Sequence, residues 1–161
     1  MSIEQVRGYL NRWNKGKDII EMNISTATVE LAASALGVIP ARIAKSISLR
    51  GDGKNAIIVV TAGDVKLDNQ KFRNCFNIKA RMLNPEEAIE FTGHAIGGVC
   101  PFALPPLVDV YLDDSMKRFT TVFPACGSGN SCIELTLAEL EEYSQYKAWV
   151  DVCKPITINT Q

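Results

Sequence analysis

Long apolar runs and the common phosphate-binding motifs are missing from this sequence. No stretch has the length of a membrane span. The N-terminal stretch MSIEQVRGYLNRWNKGK carries charges where a secretion signal would be apolar, so we expect neither a signal peptide nor a membrane anchor. The absence of G-x-x-x-x-G-K-[ST] and G-x-G-x-x-G argues against nucleotide hydrolases and dinucleotide-dependent enzymes. We therefore expect no cofactor and no membrane partner.

Ligands for a metal are also scarce, because the chain has a single histidine and no C-x-x-C pair. Its five cysteines are odd in number and widely spaced: Cys75, Cys100, Cys126, Cys132 and Cys153. This pattern is typical of reduced thiols, so it predicts a cytoplasmic protein without a metal site.

The composition that remains is that of a globular domain, with 47% apolar and 22% charged residues in 161. Size and composition together predict one domain over residues 1–161. Residues 42–81 contain nine Lys and Arg against three Asp, whereas residues 82–161 contain four against eleven acidic side chains. This asymmetry predicts a basic face that attracts phosphates, with a merely solvated segregation of charge as the alternative.

Local patterns indicate about six or seven strands and four or five helices. The alternation in IAKSISLR, the turn GDGK and the β-branched run NAIIVVTAG predict a hairpin over 43–62. Helices are expected over 3–13, from a cap at Ser25 or Thr26 to Gly37, at DNQKFRNCF, after Asn84, and from the Thr136–Glu139 capping box. Further strands are expected at DIIEMN, LVDVYLDD, FTTVFPAC, SCIEL and KAWVDV. Strands and helices do not alternate strictly, so we expect an α/β (α+β) domain with a mixed or antiparallel sheet.

Lys45 is the first candidate for chemistry. The strand alternation places it on the same face as Ile43 and Ile47, where an unpaired ammonium is costly. Its partner could be a carboxylate, a phosphate or a substrate carbonyl. The alternative is a lysine whose stem packs while its ammonium reaches water.

The segment TGHAIGGVCPFALPP is open to three interpretations. Cys100 and His94 could form a thiol hydrolase pair, although the loop has no Asn, Asp or Glu to orient the imidazole. Alternatively, Gly93, Gly97 and Gly98 allow unusual backbone angles that would present N–H groups to an ester carbonyl or its oxyanion. An ordinary connecting loop is the third possibility.

A second glycine-rich turn, GSGNS at 127–131, could bring Ser128, Asn130 or Ser131 to the same pocket as hydrogen-bond donors. Asp113 and Asp114 are adjacent acids whose side chains would point to opposite faces of a strand, which argues against paired acid and base catalysis. We expect them to form a solvated turn.

Four segments taken in order resemble one family: RIAKSISL, GDGKNAIIVV, TGHAIGGVCPFAL, and VDVYLDDSM followed by ACGSGNSCIEL. Together they are similar to the YbaK/ProX family of aminoacyl-tRNA deacylases, which is related to the insertion editing domain of bacterial prolyl-tRNA synthetase. The resemblance covers most of the chain. It implies a compact domain around a mixed, partly barrel-like sheet with packed helices, and hydrolysis of the ester joining a wrong amino acid to tRNA.

The resemblance also implies roles for individual residues. Lys45 would engage the tRNA acceptor end and, with Gly97 and Gly98, support the reaction. The aminoacyl group would be held and enclosed by Val99, Cys100, Pro101, His94, Gly127, Ser128, Asn130 and Ser131. Ala103 departs from the family, because many relatives have glycine there, and this leaves the pocket outline open.

The expected reaction is trans-acting editing, with Cys- or Ala-tRNA(Pro) as the first substrates and Ser- or Thr-linked ones as further candidates. A prolyl-tRNA synthetase or an elongation factor would recruit the enzyme to the tRNA acceptor end. Two alternatives stay open: a non-catalytic tRNA- or synthetase-binding module of the same fold, and a Cys100/His94 thiol hydrolase.

Overall fold

A six-stranded mixed sheet lies at the centre of the structure, a computed structural model that describes residues 2–156. The strands are β1 (Ile20–Glu21), β2 (Ile43–Arg50), β3 (Ala56–Ala62), β4 (Val65–Leu67), β5 (Val108–Asp113), β6 (Thr121–Pro124), β7 (Ser131–Cys132), β8 (Leu135–Thr136), β9 (Ala148–Val150) and β10 (Cys153–Pro155). The main sheet has the order β8-β6-β2-β3-β5-β9, and the other strands pair as two short ribbons, β1 with β7 and β4 with β10.

Helices pack around this sheet. They are α1 (Ser2–Leu10), α2 (Val29–Leu36), α3 (Asn69–Phe76), α4 (Pro85–Thr92) and α5 (Leu137–Ser144), with 3-10 segments at Asn11–Trp13, Gly16–Asp18, Pro40–Arg42 and Asp114–Arg118. Within the described part of the chain, no helix has the length and hydrophobicity of a membrane span.

The predicted hairpin forms the middle of the sheet. All seven residues of β3 are buried, as its β-branched run predicts, and the strand is internal to the sheet, with β2 on one edge and β5 on the other. The β2–β3 pair is antiparallel, whereas β3 pairs with β5, and β2 with β6, in parallel. The sheet curls into a half-barrel with helices packed on it, which confirms the predicted mixed α/β fold.

Helix starts were predicted well except for α2. The capping boxes at Asn84 and Thr136 are both formed. The expected cap of α2 at Ser25 or Thr26 is wrong, because the Thr28 hydroxyl accepts the hydrogen bond from Leu31 N–H, at 3.2 Å. The sequence STAT offers several capping side chains in a row, so its composition alone does not select one of them.

Two further differences concern the end of β5 and the C-terminal segment. Asp113 is buried, and its carboxylate accepts hydrogen bonds from the N–H groups of Ser115 and Val152, each at 2.9 Å. The expected solvated turn is therefore wrong for Asp113, which instead fastens the segment leading to β10 onto the sheet. The β4–β10 ribbon was not predicted, because each of its strands is only three residues long.

Candidate functional site

A cavity of about 340 Å³ lies along β2, between the segment that leads into α2 and the loop after α4. Its walls are largely apolar and include Val29, Ala32, Ile43 and Phe123. Of the site residues predicted from the sequence, the structure brings four to this cavity: Lys45, Gly97, Val99 and Ser131. The lysine strand and both glycine-rich segments therefore meet at one place.

Lys45 is half-buried in the wall formed by β2. Its Nζ donates a hydrogen bond to the carbonyl of Val65, and burial lowers the pKa of the ammonium from its usual value. No carboxylate of the described residues lies within ion-pair distance of Nζ; Asp64, which is close enough to act electrostatically, is paired with Arg118 at 2.6 Å. The positive charge is thus not neutralised by direct pairing within this part of the protein.

The loop after α4 makes a tight turn at the cavity. Gly98 N–H donates to the Ala95 carbonyl at 2.9 Å, and Gly97 at the third position of this turn has φ 97°, which favours glycine. The Gly98 amide is therefore already used inside the turn and does not bind an oxyanion in this conformation. The N–H groups of Gly97 and Val99 have no acceptor among residues 2–156, and both residues line the cavity.

Gly98 has a different role, because it allows the two glycine-rich segments to touch. A Cβ added at Gly98 would lie 2.7 Å from both Gly127 C and Ser128 N. Real Cβ atoms do not approach backbone so closely, so any side chain at this position would push the segments apart.

The turn at 127–131 is held together by its own side chains. The Ser128 hydroxyl forms hydrogen bonds with Ser131 Oγ at 2.6 Å and with Asn130 Oδ1 at 2.9 Å. Asn130 Nδ2 donates to the Met22 carbonyl at 2.9 Å. Gly127, Ser128 and Asn130 therefore support the cavity wall from behind, while Ser131 lines it.

His94 and Cys100 contact each other, but both are fully buried and neither lines the cavity. The distance from Cys100 Sγ to His94 Nε2 is 3.5 Å. Nε2 also lies 2.8 Å from the Phe102 carbonyl, which only accepts, so Nε2 carries the proton and cannot take one from the thiol. Nδ1 is then the acceptor for the Ser2 hydroxyl.

Burial raises the pKa of the Cys100 thiol to about 12 and lowers that of His94. A neutral thiol beside a histidine that donates to a carbonyl is a packing arrangement, and it does not supply a nucleophile. Pro101, the neighbouring residue, is buried and lines a separate, smaller cavity of about 180 Å³.

Ser46 is a polar cavity residue that the sequence analysis did not predict. Ser46 Oγ is buried and has no hydrogen-bond partner in the described residues, and Ser46 lines the cavity next to Lys45. An unpaired buried hydroxyl is costly unless a ligand completes its bonding. Small polar residues alternate with apolar ones in most half-exposed strands, so no sequence signal marked this serine.

The nine basic residues of segment 42–81 do not all face solvent as free charges. Four of them pair with acidic side chains from segment 82–161: Arg42 with Glu134, Arg50 and Arg81 with Glu87, and Lys71 with Asp151. The charge asymmetry along the sequence is thus partly cancelled in three dimensions.

Residues 2–156 also contain no group of three His, Cys, Asp or Glu side chains placed to hold a metal ion.

Comparison with known proteins decides the family. The model of the aminoacyl-tRNA editing domain matches residues 24–143. The chain belongs to this family. Uncharacterized protein YwhH of Bacillus subtilis (strain 168) is 57% identical over 154 residues, which cover 96% of this chain and 98% of that protein.

Two other relatives carry functional descriptions of their own. An Enterococcus faecalis (strain ATCC 700802 / V583) protein, EbsC, whose name proposes a Cys-tRNA(Pro)/Cys-tRNA(Cys) deacylase, is 26% identical over 109 residues, 67% of this chain and 66% of EbsC. A crystal structure described as a candidate trans-editing enzyme for prolyl tRNA synthetase has a TM-score of 0.85 and 30% identity, over 95% of this chain and 97% of that one. These findings confirm the resemblance drawn from the sequence motifs.

Proposed function

We propose that this editing-family chain is a trans-acting hydrolase that cleaves the ester between a wrong amino acid and its tRNA. The observation that carries the proposal is that Lys45 and the Gly97 loop, predicted separately from the sequence, line one cavity. The cavity volume of about 340 Å³ is at the lower end of the range for small-molecule sites, which suits an aminoacyl group better than a large ligand.

The chemistry follows from the nature of the substrate. An aminoacyl ester is already activated, so positioning a water molecule or a substrate hydroxyl and stabilising the oxyanion can suffice without a protein nucleophile. We assign the free N–H groups of Gly97 and Val99 to the ester carbonyl, where negative charge develops. Lys45 supplies a positive charge for the acceptor end, and the unpaired Ser46 hydroxyl is a further hydrogen-bond partner for the substrate.

Cys- and Ala-tRNA(Pro) are the substrates that we propose first. The small volume of the cavity and its largely apolar wall, which includes Ala27, Ala32 and Ala44, favour a small apolar amino acid. The names of EbsC and of the solved structure both refer to tRNA(Pro) or its synthetase, which supports the same choice. Prolyl-tRNA synthetase would then be the source of the mischarged tRNA and the partner that we propose.

A panel of charged tRNAs tests the proposal. Ala-, Cys-, Ser- and Pro-tRNA(Pro) are incubated with the purified protein, and the released amino acid is measured. One methylene group changes binding by about 1–3 kcal/mol, so we expect differences of roughly 10- to 200-fold between neighbouring amino acids. Salt-sensitive tRNA binding without release from any member of the panel would favour a non-catalytic binding module.

Lys45 is tested by Lys45→Met, which keeps an apolar stem but removes the ammonium. Amino acid release should be abolished while the melting temperature stays close to that of the wild type. Lys54→Met is the matched control, because Lys54 is an exposed lysine in the turn at the opposite end of the hairpin. Full turnover by Lys45→Met would show that the role assigned to the ammonium is wrong.

A further inference from the structure

Two lysines face each other across the β4–β10 ribbon. In the antiparallel register Lys154 lies directly opposite Lys66, and both residues are exposed. Side chains of directly opposed residues lie on the same face of a β-ribbon, and like charges in this position destabilise it.

The register that places the two lysines opposite each other is fixed by the buried side chains on the other face of the ribbon. Val65 and Cys153 on that face are buried in the hydrophobic core. A slip of one residue would turn these side chains out to water, so the core fixes the register. The two ammonium groups are therefore held close together by the fold.

Acidic side chains do not neutralise this pair within residues 2–156. Neither lysine makes an ion pair with a described carboxylate, whereas Lys71 nearby pairs with Asp151 at 3.1 Å. Asp68 is close enough to Lys154 to act electrostatically but forms no ion pair with it, and its Oδ1 caps α3 by accepting from the N–H groups of Gln70 and Lys71, each at 3.0 Å.

The ribbon also adjoins the candidate active site. The Lys45 ammonium donates to the carbonyl of Val65, which is the residue before Lys66 in β4. A side chain that lines the cavity is therefore in contact with the residue next to Lys66. In an aminoacyl-tRNA the ester is followed by a chain of phosphates, and this chain begins beside the cavity.

We propose that Lys66 and Lys154 bind the phosphate backbone of the tRNA acceptor arm beside the cavity that receives the aminoacyl end. The inference rests on the proposed deacylase function. Paired cationic side chains bind phosphates without regard to base sequence, so this contact contributes affinity and register. Selection of the amino acid stays with the cavity.

The first experiment separates this surface from the cavity. Lys66→Gln/Lys154→Gln and the control Lys54→Gln are compared with the wild type on two substrates, a full-length mischarged tRNA and a 3′-aminoacyl-adenosine, which carries the ester but no phosphate. With tRNA, we expect kcat/KM of the double variant to fall about tenfold at low salt, and the slope of its logarithm against log salt to decrease by about 0.7–0.9 for each phosphate that is no longer bound. With the aminoacyl-adenosine, and for the control on both substrates, the values should match the wild type.

A charge reversal adds a readout that a structural role would not give. Lys66→Glu places a carboxylate opposite Lys154, so the melting temperature should rise while kcat/KM for tRNA falls. If both decrease together, the lysines serve the fold and the proposal is overturned.

Two other outcomes would also overturn it. One is an unchanged kcat/KM and salt slope of the double variant on tRNA. The other is an equal decrease on tRNA and aminoacyl-adenosine, which would place the defect in the cavity. Fluorescence anisotropy with uncharged tRNA keeps the test independent of catalysis. If the wild type releases no amino acid from either substrate, the deacylase function fails. The lysine site is then tested by affinity alone: weaker binding of uncharged tRNA by the double variant supports it, and unchanged binding overturns it.

Discussion

The contact between the two glycine-rich segments leads to a quantitative prediction for Gly98→Ala. The added methyl would lie 2.7 Å from Gly127 C and Ser128 N and 2.8 Å from Ser128 Cα, whereas non-bonded carbon atoms prefer about 3.5–4.0 Å. The segments must therefore separate by roughly an ångström. Overpacking of this kind costs about 1–3 kcal/mol, which for a chain of this size lowers the melting temperature by about 2–12 °C.

The same displacement should reduce activity. Val99 and Ser131, the cavity residues on either side of the contact, would shift with their segments, and a misplacement of about 1 Å can cost on the order of 100-fold in rate. We therefore expect Gly98→Ala to lose much of its deacylation rate at a temperature where it is still folded. Thermal denaturation followed by circular dichroism and release of amino acid from mischarged tRNA measure the two effects.

Gly129→Ala is the matched control in the partner segment. A methyl group there would be 3.7 Å from Ala27 Cβ, an ordinary van der Waals distance, so stability and rate should stay near the wild-type values. If Gly98→Ala behaves like this control in both assays, the close approach of the segments does not shape the cavity and the reasoning is refuted.

Two further predictions concern the buried pair behind the loop. Only Cys75 is exposed among the five cysteines, so a thiol reagent should quickly label one site per folded chain. Because Cys100 is buried, Cys100→Ala should keep its deacylase activity. Loss of activity on labelling Cys100 in the folded protein would instead support the thiol hydrolase. Burial lowers the pKa of His94 below its usual 6.5, so the unfolded chain binds a proton that the folded chain rejects. The free energy of unfolding should be highest above pH 6.5 and decrease below it, by up to about 1.4 kcal/mol per pH unit. Urea titrations at several pH values check this, and His94→Gln should lack the component.

Local signals in the sequence predicted the parts of the fold that depend on neighbouring residues. The β2–β3 hairpin follows from a turn between two apolar strands, and the capping boxes of α4 and α5 follow from residues three positions apart. The β4–β10 ribbon has no such signal, because its three-residue strands lie far apart in the chain and are paired by tertiary structure. The position of Lys66 opposite Lys154 could therefore be seen only in three dimensions.

Some residues of the candidate site could likewise be predicted from local sequence signals, and others could not. Lys45 is noticeable in the sequence because it interrupts an apolar face. The glycines are noticeable because they are clustered, and the positive φ of Gly97 in the structure agrees with the need for glycine there. In contrast, the loop composition could not reveal that His94 is buried against Ser2 of α1 and the Phe102 carbonyl. The contact that distinguishes a core histidine from a catalytic one is made by a residue more than ninety positions away.

Ala103 shows how a departure from the family pattern can be given a physical meaning. The residue has φ 55°, in the left-handed region where an alanine side chain is strained and glycine is not. The glycine that the family resemblance leads one to expect at this position would meet this backbone requirement without strain. Ala103 lies in the loop that carries Pro101, and both residues line the smaller cavity, not the one at Lys45.

The basic surface expected from the sequence is smaller in the structure. A count over residues 42–81 predicts a broad basic face, yet Arg42, Arg50, Lys71 and Arg81 pair with acids that the fold brings from the other half of the chain. Phosphate attraction depends on the cations that remain after such pairing, not on the segment total. Lys66 is one of the cations that remain; it is fixed opposite Lys154 and lies next to the residue that the Lys45 ammonium contacts. This position, rather than the segment total, is the reason for assigning part of the salt dependence of tRNA binding to the two lysines.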